Sequence, residues 1–116
     1  MNPTLLVIVD SDPRTSPRPA EAVRIAAGVG TWRKVDVTLY LRGPAVLALA
    51  EYPDELLEED NYVRYLPIVG EFGRPIYVQQ GAPLLGELGE SAHRWEELPE
   101  EGLARICASH RYVLRF

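Results

Sequence analysis

Strand-like and helix-like patterns alternate along this chain, which predicts an α/β fold: a three-layer sandwich with a five-stranded, mostly parallel sheet and helices on both faces. Three observations carry that expectation. Leu5-Leu6-Val7-Ile8-Val9 is a continuous apolar run of strand length, as in a strand covered on both faces. Ala22, Val23, Ala26 and Ala27 recur at helical spacing directly after it. Val35, Val37, Leu39 and Leu41 then alternate with more polar residues, at the period of a second strand. Parallel neighbours need crossovers, which are right-handed in such sheets.

Each element follows in order. Leu5 to Val9 is read as the first, central strand, ending at Asp10. The prolines of Ser11 to Pro19 stop it, and Ser16 is placed to cap a helix with Pro17 at its first position. That helix is expected from Pro17 to Ala27, ended by Gly28 and Gly30. The strand Val35 to Leu41 has one more polar face, which predicts a position nearer the sheet edge. Gly43-Pro44 turns the chain into a second helix, Pro44 to Glu51. Asp54 to Asp60 reads as an acidic helical segment leading into Tyr62, Val63, Leu66 and Val69. A proline inside a helix costs about 3 kcal/mol, so a break or kink is expected at Pro67. Pro75 to Gln79 is the third strand, Ala82 to Leu88 a short helix, Arg94 to Leu98 the fourth strand, Pro99 to Ser109 the last helix, and Tyr112 to Phe116 the fifth strand.

Size and composition bound the rest. The 116 residues, 47% of them hydrophobic, match one domain spanning 1–116 with its own core. The formal charge is -5, from 17 acids against 12 bases, and no block of Lys and Arg faces a run of phosphates. Nucleic acid is therefore not an expected partner. Cys107 is the single cysteine and forms no internal disulfide, so a cytoplasmic location is the default expectation. The apolar stretch near the start is too short for a signal peptide, and a spanning helix needs roughly 20 apolar residues, so no membrane association is expected. Eleven of the bases are Arg and only Lys34 is a lysine, which removes most chemistry that needs a positioned amine.

Four segments in order and spacing carry a family resemblance: Val9 to Ala26, Val35 to Gly43, Gly73 to Val78, and Arg111 to Phe116. Together they resemble the DsrE/DsrF-like sulfur-relay proteins over most of the chain. The resemblance implies a flavodoxin-like sandwich and small cytoplasmic subunits that assemble into dimers, trimers or hexamers. In the better understood members it also implies persulfide carriage between sulfur-transfer proteins. That carriage rests on a cysteine just after the strand matching Pro75 to Val78, where this chain reads Gln79-Gln80-Gly81-Ala82. A relay needs a thiolate to accept sulfur, and neither an amide nor a glycine can substitute. The family includes subunits without the cysteine that sit beside a competent partner. The expected function is accordingly a noncatalytic oligomer subunit or a module binding a small ligand or partner, with a sulfur-transfer protein among the possible partners.

The alternative is a persulfide carrier or small-molecule enzyme using Cys107 or the Ser11 to Arg18 loop. Cys107 falls with Leu103 and Ile106 on the apolar stripe of the last helix, where a free cysteine ordinarily acts as a small hydrophobe. Ligands of such sheets bind at the carboxyl ends of the strands, where three loops should converge. Their ligand-binding candidates are Ser11, Asp12, Arg14, Thr15 and Ser16 after the first strand, Arg42 after the second, and Gln79, Gln80 and Gly81 after the third. Hydroxyls, an Arg and a helix N-terminus are ingredients of an anion site, but the loop lacks the glycines that bring backbone close to phosphate. No nucleotide or other cofactor is expected.

Asp10 and Asp12 also invite comparison with the acidic pocket of receiver domains. That reading fails, because Gln79 occupies the phospho-acceptor position and no late lysine exists. His93 and His110 have no second ligand at metal-binding spacing, so surface or capping roles and no metal are expected. No catalytic residue is assigned. Tyr52, Leu56, Leu57, Tyr62, Tyr65 and Phe72 crowd one segment, which predicts a homo-oligomer, a dimer or trimer, with Tyr52, Tyr62, Tyr65 and Phe72 as interface candidates. The competing explanation is that these side chains complete the core over the third strand.

Overall fold

A computed structural model of residues 1–116 shows five parallel strands: β1 (Thr4–Val9), β2 (Asp36–Leu41), β3 (Ile76–Gln79), β4 (Trp95–Leu98) and β5 (Tyr112–Arg115). Their order across the sheet is β4-β3-β2-β1-β5. Three helices join them: α1 (Arg18–Thr31), α2 (Glu59–Gly70) and α3 (Glu100–Ser109). The expected sandwich is present, with helices on both faces.

The apolar run of β1 is interior, paired with β2 on one side and β5 on the other. The middle strand is β2, which corrects the expectation of a position near the edge. Its polar-looking face is buried all the same: Tyr40 packs with Leu6, Ile8 and Leu103, and Thr38 meets the His110 ring at 3.1 Å. Alternation reports side-chain polarity and not burial: Thr38 is satisfied by His110, while the Tyr40 hydroxyl is buried without a partner.

Five other expectations change. The segment expected as a helix from Pro44 is a 3₁₀ turn, Gly43–Leu49, with Ala45 to Leu49 all buried. α1 runs through Gly28 and Gly30 to Thr31, because Gly30 marks a packing contact: a Cβ there would lie 2.2 Å from the Phe72 ring. α2 passes through Pro67 unbroken. Pro67 and Val63, one turn earlier, both face solvent, so the Val63 carbonyl that loses its donor is open to water. The acidic stretch before it is turn rather than helix, and Glu58 enters α2 in the left-handed region at φ 58°. Ala82 to Leu88 contains only the 3₁₀ turn Leu85–Glu87.

The two faces of the sheet are filled unequally. α1, α2 and the 3₁₀ segment enclose a core of 24 buried residues, including Val7, Leu39, Leu66 and Ile76. α3 covers the other face over four buried residues: Leu6, Ile8, Tyr40 and Leu103. All four residues of β5 are exposed. No helix is long and apolar enough to cross a membrane.

Candidate functional site

With every strand parallel, the loops after β1, β2 and β3 leave the same end of the sheet. Two of them are locked together, since the Gly43 N–H donates to Oε1 of Gln79 at 2.9 Å. Gly43 adopts a positive φ of 55°, which aims that N–H across the gap. Gln79 therefore tethers the β2 and β3 loops, in the stretch where the resemblance expects a thiol. Gln80 and Gly81 are exposed beside it, and the Gly81 N–H donates to Oε1 of Glu97 at 3.0 Å.

The loop after β1 is organised by itself. Asp12 accepts from the Arg14 backbone N–H at 2.9 Å and from its guanidinium at 3.0 and 2.9 Å. These bonds hold the Asp12 carboxyl below the usual carboxylate range and keep Arg14 protonated. Ser16 Oγ accepts from the Arg18 N–H at 3.1 Å, so it serves the start of α1, one residue later than expected. Thr15 is exposed, and Ser11 Oγ donates to the Phe116 carbonyl at 3.4 Å. Arg14 also borders a hollow of about 330 Å³ whose wall includes Tyr52, Asp54, Glu55 and Glu87. The Arg14 charge is thus met by Asp12 and by a rim of acids, an environment that does not favour a phosphate. Arg42 is paired with Glu100 at 3.2 Å. The candidates after β2 and β3 are brought together, whereas Arg14, Thr15 and Ser16 serve their own loop and the start of α1.

The remaining chemical groups lie elsewhere. Cys107 is half-buried in the second half of α3, near the small cluster around Leu6 and Tyr40. The Tyr40 hydroxyl is buried with no hydrogen-bond partner, and burial pushes its phenol up, with Arg42 opposing that shift. The Tyr62 hydroxyl is likewise buried and unpartnered, and burial raises it strongly. Sequence reasoning did not anticipate these two hydroxyls, since a tyrosine in a strand or helix pattern gives no sign of whether its oxygen finds a partner. His110 closes α3, its Nδ1 2.6 Å from the Ile106 carbonyl, which matches the expected capping role. His93 is half-buried, and burial lowers its imidazole below the usual range. No cluster of His, Cys, Asp and Glu is arranged to hold a metal.

Of the expected interface residues, Tyr62 is buried in the larger core, Tyr65 and Phe72 are half-buried against it, and Tyr52 is 75% exposed. Leu57 and Val63 of the same segment are also exposed.

The architecture is that of a flavodoxin-like α/β sandwich of the DsrE/DsrF-like kind. Among solved structures, the chain is similar to the ychN protein from E.coli, with a TM-score of 0.78 over 100% of both chains at 19% identity. That likeness is one of fold. No family model matches the chain, and no curated protein does.

Proposed function

We propose that this protein is a noncatalytic DsrE/DsrF-like subunit that works by assembling with copies of itself or with a partner protein, rather than by carrying sulfur. The observation behind this reading is the end of β3, where the Gln79 side chain ties the strand to the β2 loop and no thiol follows. A persulfide needs a thiolate as its acceptor, and the chain's one thiol sits on α3, among the residues of the thinner core. The exposed surface of Gln80 and Gly81 is the part of the carboxyl end this reading offers to a partner or small ligand. Self-association as a dimer or trimer is supported by the exposed Tyr52, Leu57 and Val63, flanked by the half-buried Tyr65 and Phe72. Localisation in the cytoplasm and a sulfur-transfer protein as partner belong to the same reading.

Thiol reactivity tests it. Cys107 in the native protein should label slowly with a maleimide and quickly in denaturant, and Cys107→Ala should fold with a loss of about 1 kcal/mol for a small, partly buried group. Rapid native labelling, together with a stable persulfide on Cys107 after exposure to a persulfide donor, would overturn the noncatalytic reading in favour of a carrier.

A further inference from the structure

The two edges of the sheet carry opposite charge, and both leave backbone groups unpaired. At one edge, Phe116 donates to the Ile8 carbonyl at 2.8 Å and accepts from the Asp10 N–H at 3.0 Å. Backbone direction alternates along a strand, so Leu114 faces β1 as Phe116 does, while Val113 and Arg115 turn their N–H and C=O groups away from the sheet. At the other edge, Ile76 and Gln80 donate to the carbonyls of Arg94 and Leu98 at 3.1 and 3.2 Å. By the same alternation Trp95 and Glu97 direct their backbone groups outward. β5 is flanked by Arg111 and ends in Arg115, and all of it is exposed. β4 carries Glu96 and Glu97 and leads straight into Glu100 and Glu101, all four exposed.

We infer that β5 of one copy pairs in parallel with β4 of a second copy, extending the sheet head to tail across subunits. Pairing like edges is disfavoured, because β5 on β5 sets Arg beside Arg and β4 on β4 sets Glu beside Glu. Unlike edges complement each other. In the register that opposes Val113 to Leu98, Arg111 stands opposite Glu96 and Arg115 opposite Glu100. The Val113 and Arg115 N–H groups then meet the carbonyls of Glu97 and Pro99, and the ladder forgoes one bond, because the Val113 carbonyl lies opposite Pro99, which has no N–H to give. The existing partners are compatible with this arrangement: Arg115 and Glu100 hold Asp10 and Arg42 only through exposed ion pairs, which are weak and exchangeable. Such a contact uses two different surfaces, so it closes into a ring or continues as a chain. The inference rests on the self-association proposed above and adds the surface that carries it.

Two charge-reversed variants test it: Arg111→Glu with Arg115→Glu, and Glu96→Arg with Glu100→Arg. The first has two acidic edges and the second two basic ones, so each alone should sediment as a smaller species than the wild type. Mixed in equal amounts they present unlike edges again, and association should return, as an alternating chain or an even-numbered ring. Circular dichroism checks that each variant is folded, which exposed positions allow. Variants that associate as fully as the wild type, or a mixture that stays dissociated, overturn the edge pairing while leaving self-association intact. A wild-type protein that sediments as a monomer at all concentrations overturns both.

Discussion

The sheet has one thick side and one thin side. Beneath α1 and α2, 24 buried residues interlock, and α1 approaches α2 closely enough that Gly30 lies against the Phe72 ring. Beneath α3, four residues are buried, and Ile106 and Cys107 remain half-open around them. Burial of apolar surface dominates stability, so the thick side holds the fold together and the thin side is where it yields first.

The largest expected effect comes from truncating equivalent leucines on the two sides. Leu66→Ala should cost about 4 kcal/mol, near the top of the range for a buried leucine, since its neighbours are fixed on every side. Leu103→Ala should cost about 2 kcal/mol, because α3 can settle into the gap. Urea unfolding measures both, and equal losses would dissolve the distinction between the faces. A smaller effect concerns the two orphan hydroxyls, one on each side. Tyr40→Phe and Tyr62→Phe each remove a buried oxygen with no partner, and each should stabilise by about 1 kcal/mol. A loss of stability in either variant would mean that its hydroxyl is satisfied in solution.

The smallest effect is a pH dependence. His93 lies beside the thick core, in a hollow it shares with Tyr62, Glu51 and Glu90. Its imidazole is held below its ordinary value by burial, so the folded protein binds that proton less readily than the unfolded chain. The stabilisation is therefore present above the unfolded-state pKa and is lost as pH falls through that value toward the folded one. Stability measured by urea should decline from neutral pH into the acid range, and His93→Gln should flatten that slope. Asp12 adds a dependence of the same sign at lower pH, since Arg14 depresses its carboxyl.

The sheet and its five strands were legible because apolar runs and turn residues are local signals, and the strand at Leu5 to Val9 needed no partner to be recognised. What stayed hidden depends on contacts. Gly28 and Gly30 read as a helix end because glycine is a poor helix former, yet the side chain that fills the space above Gly30 comes from Phe72. Pro67 read as a break because the exposure of the Val63 carbonyl is not written in its own neighbourhood. The place of β2 in the middle of the sheet comes from its pairing with β1 on one side and β3 on the other, and Thr38 is accommodated there by His110, 72 positions away. At the candidate site, the absence of a cysteine from Gln79 to Ala82 was visible from the sequence, but the bond from Gly43 to Gln79 was not, since it joins the start of one loop to the end of a strand 36 residues away.

The position of β5 has a kinetic consequence. Arg115 reaches Asp10 across 105 residues of chain, and β5 pairs with nothing but β1. Closing a loop of that length carries an entropic penalty that rises by about 0.6 kcal/mol with each doubling. The β1, α1 and β2 unit closes over a far shorter separation and can assemble first, leaving the seam between β1 and β5 to zip last and open earliest. Amide exchange would read this directly: the Phe116 N–H, bonded to Ile8, should exchange faster than the Arg42 N–H, bonded to Val9 at 2.8 Å on the opposite flank of the same strand.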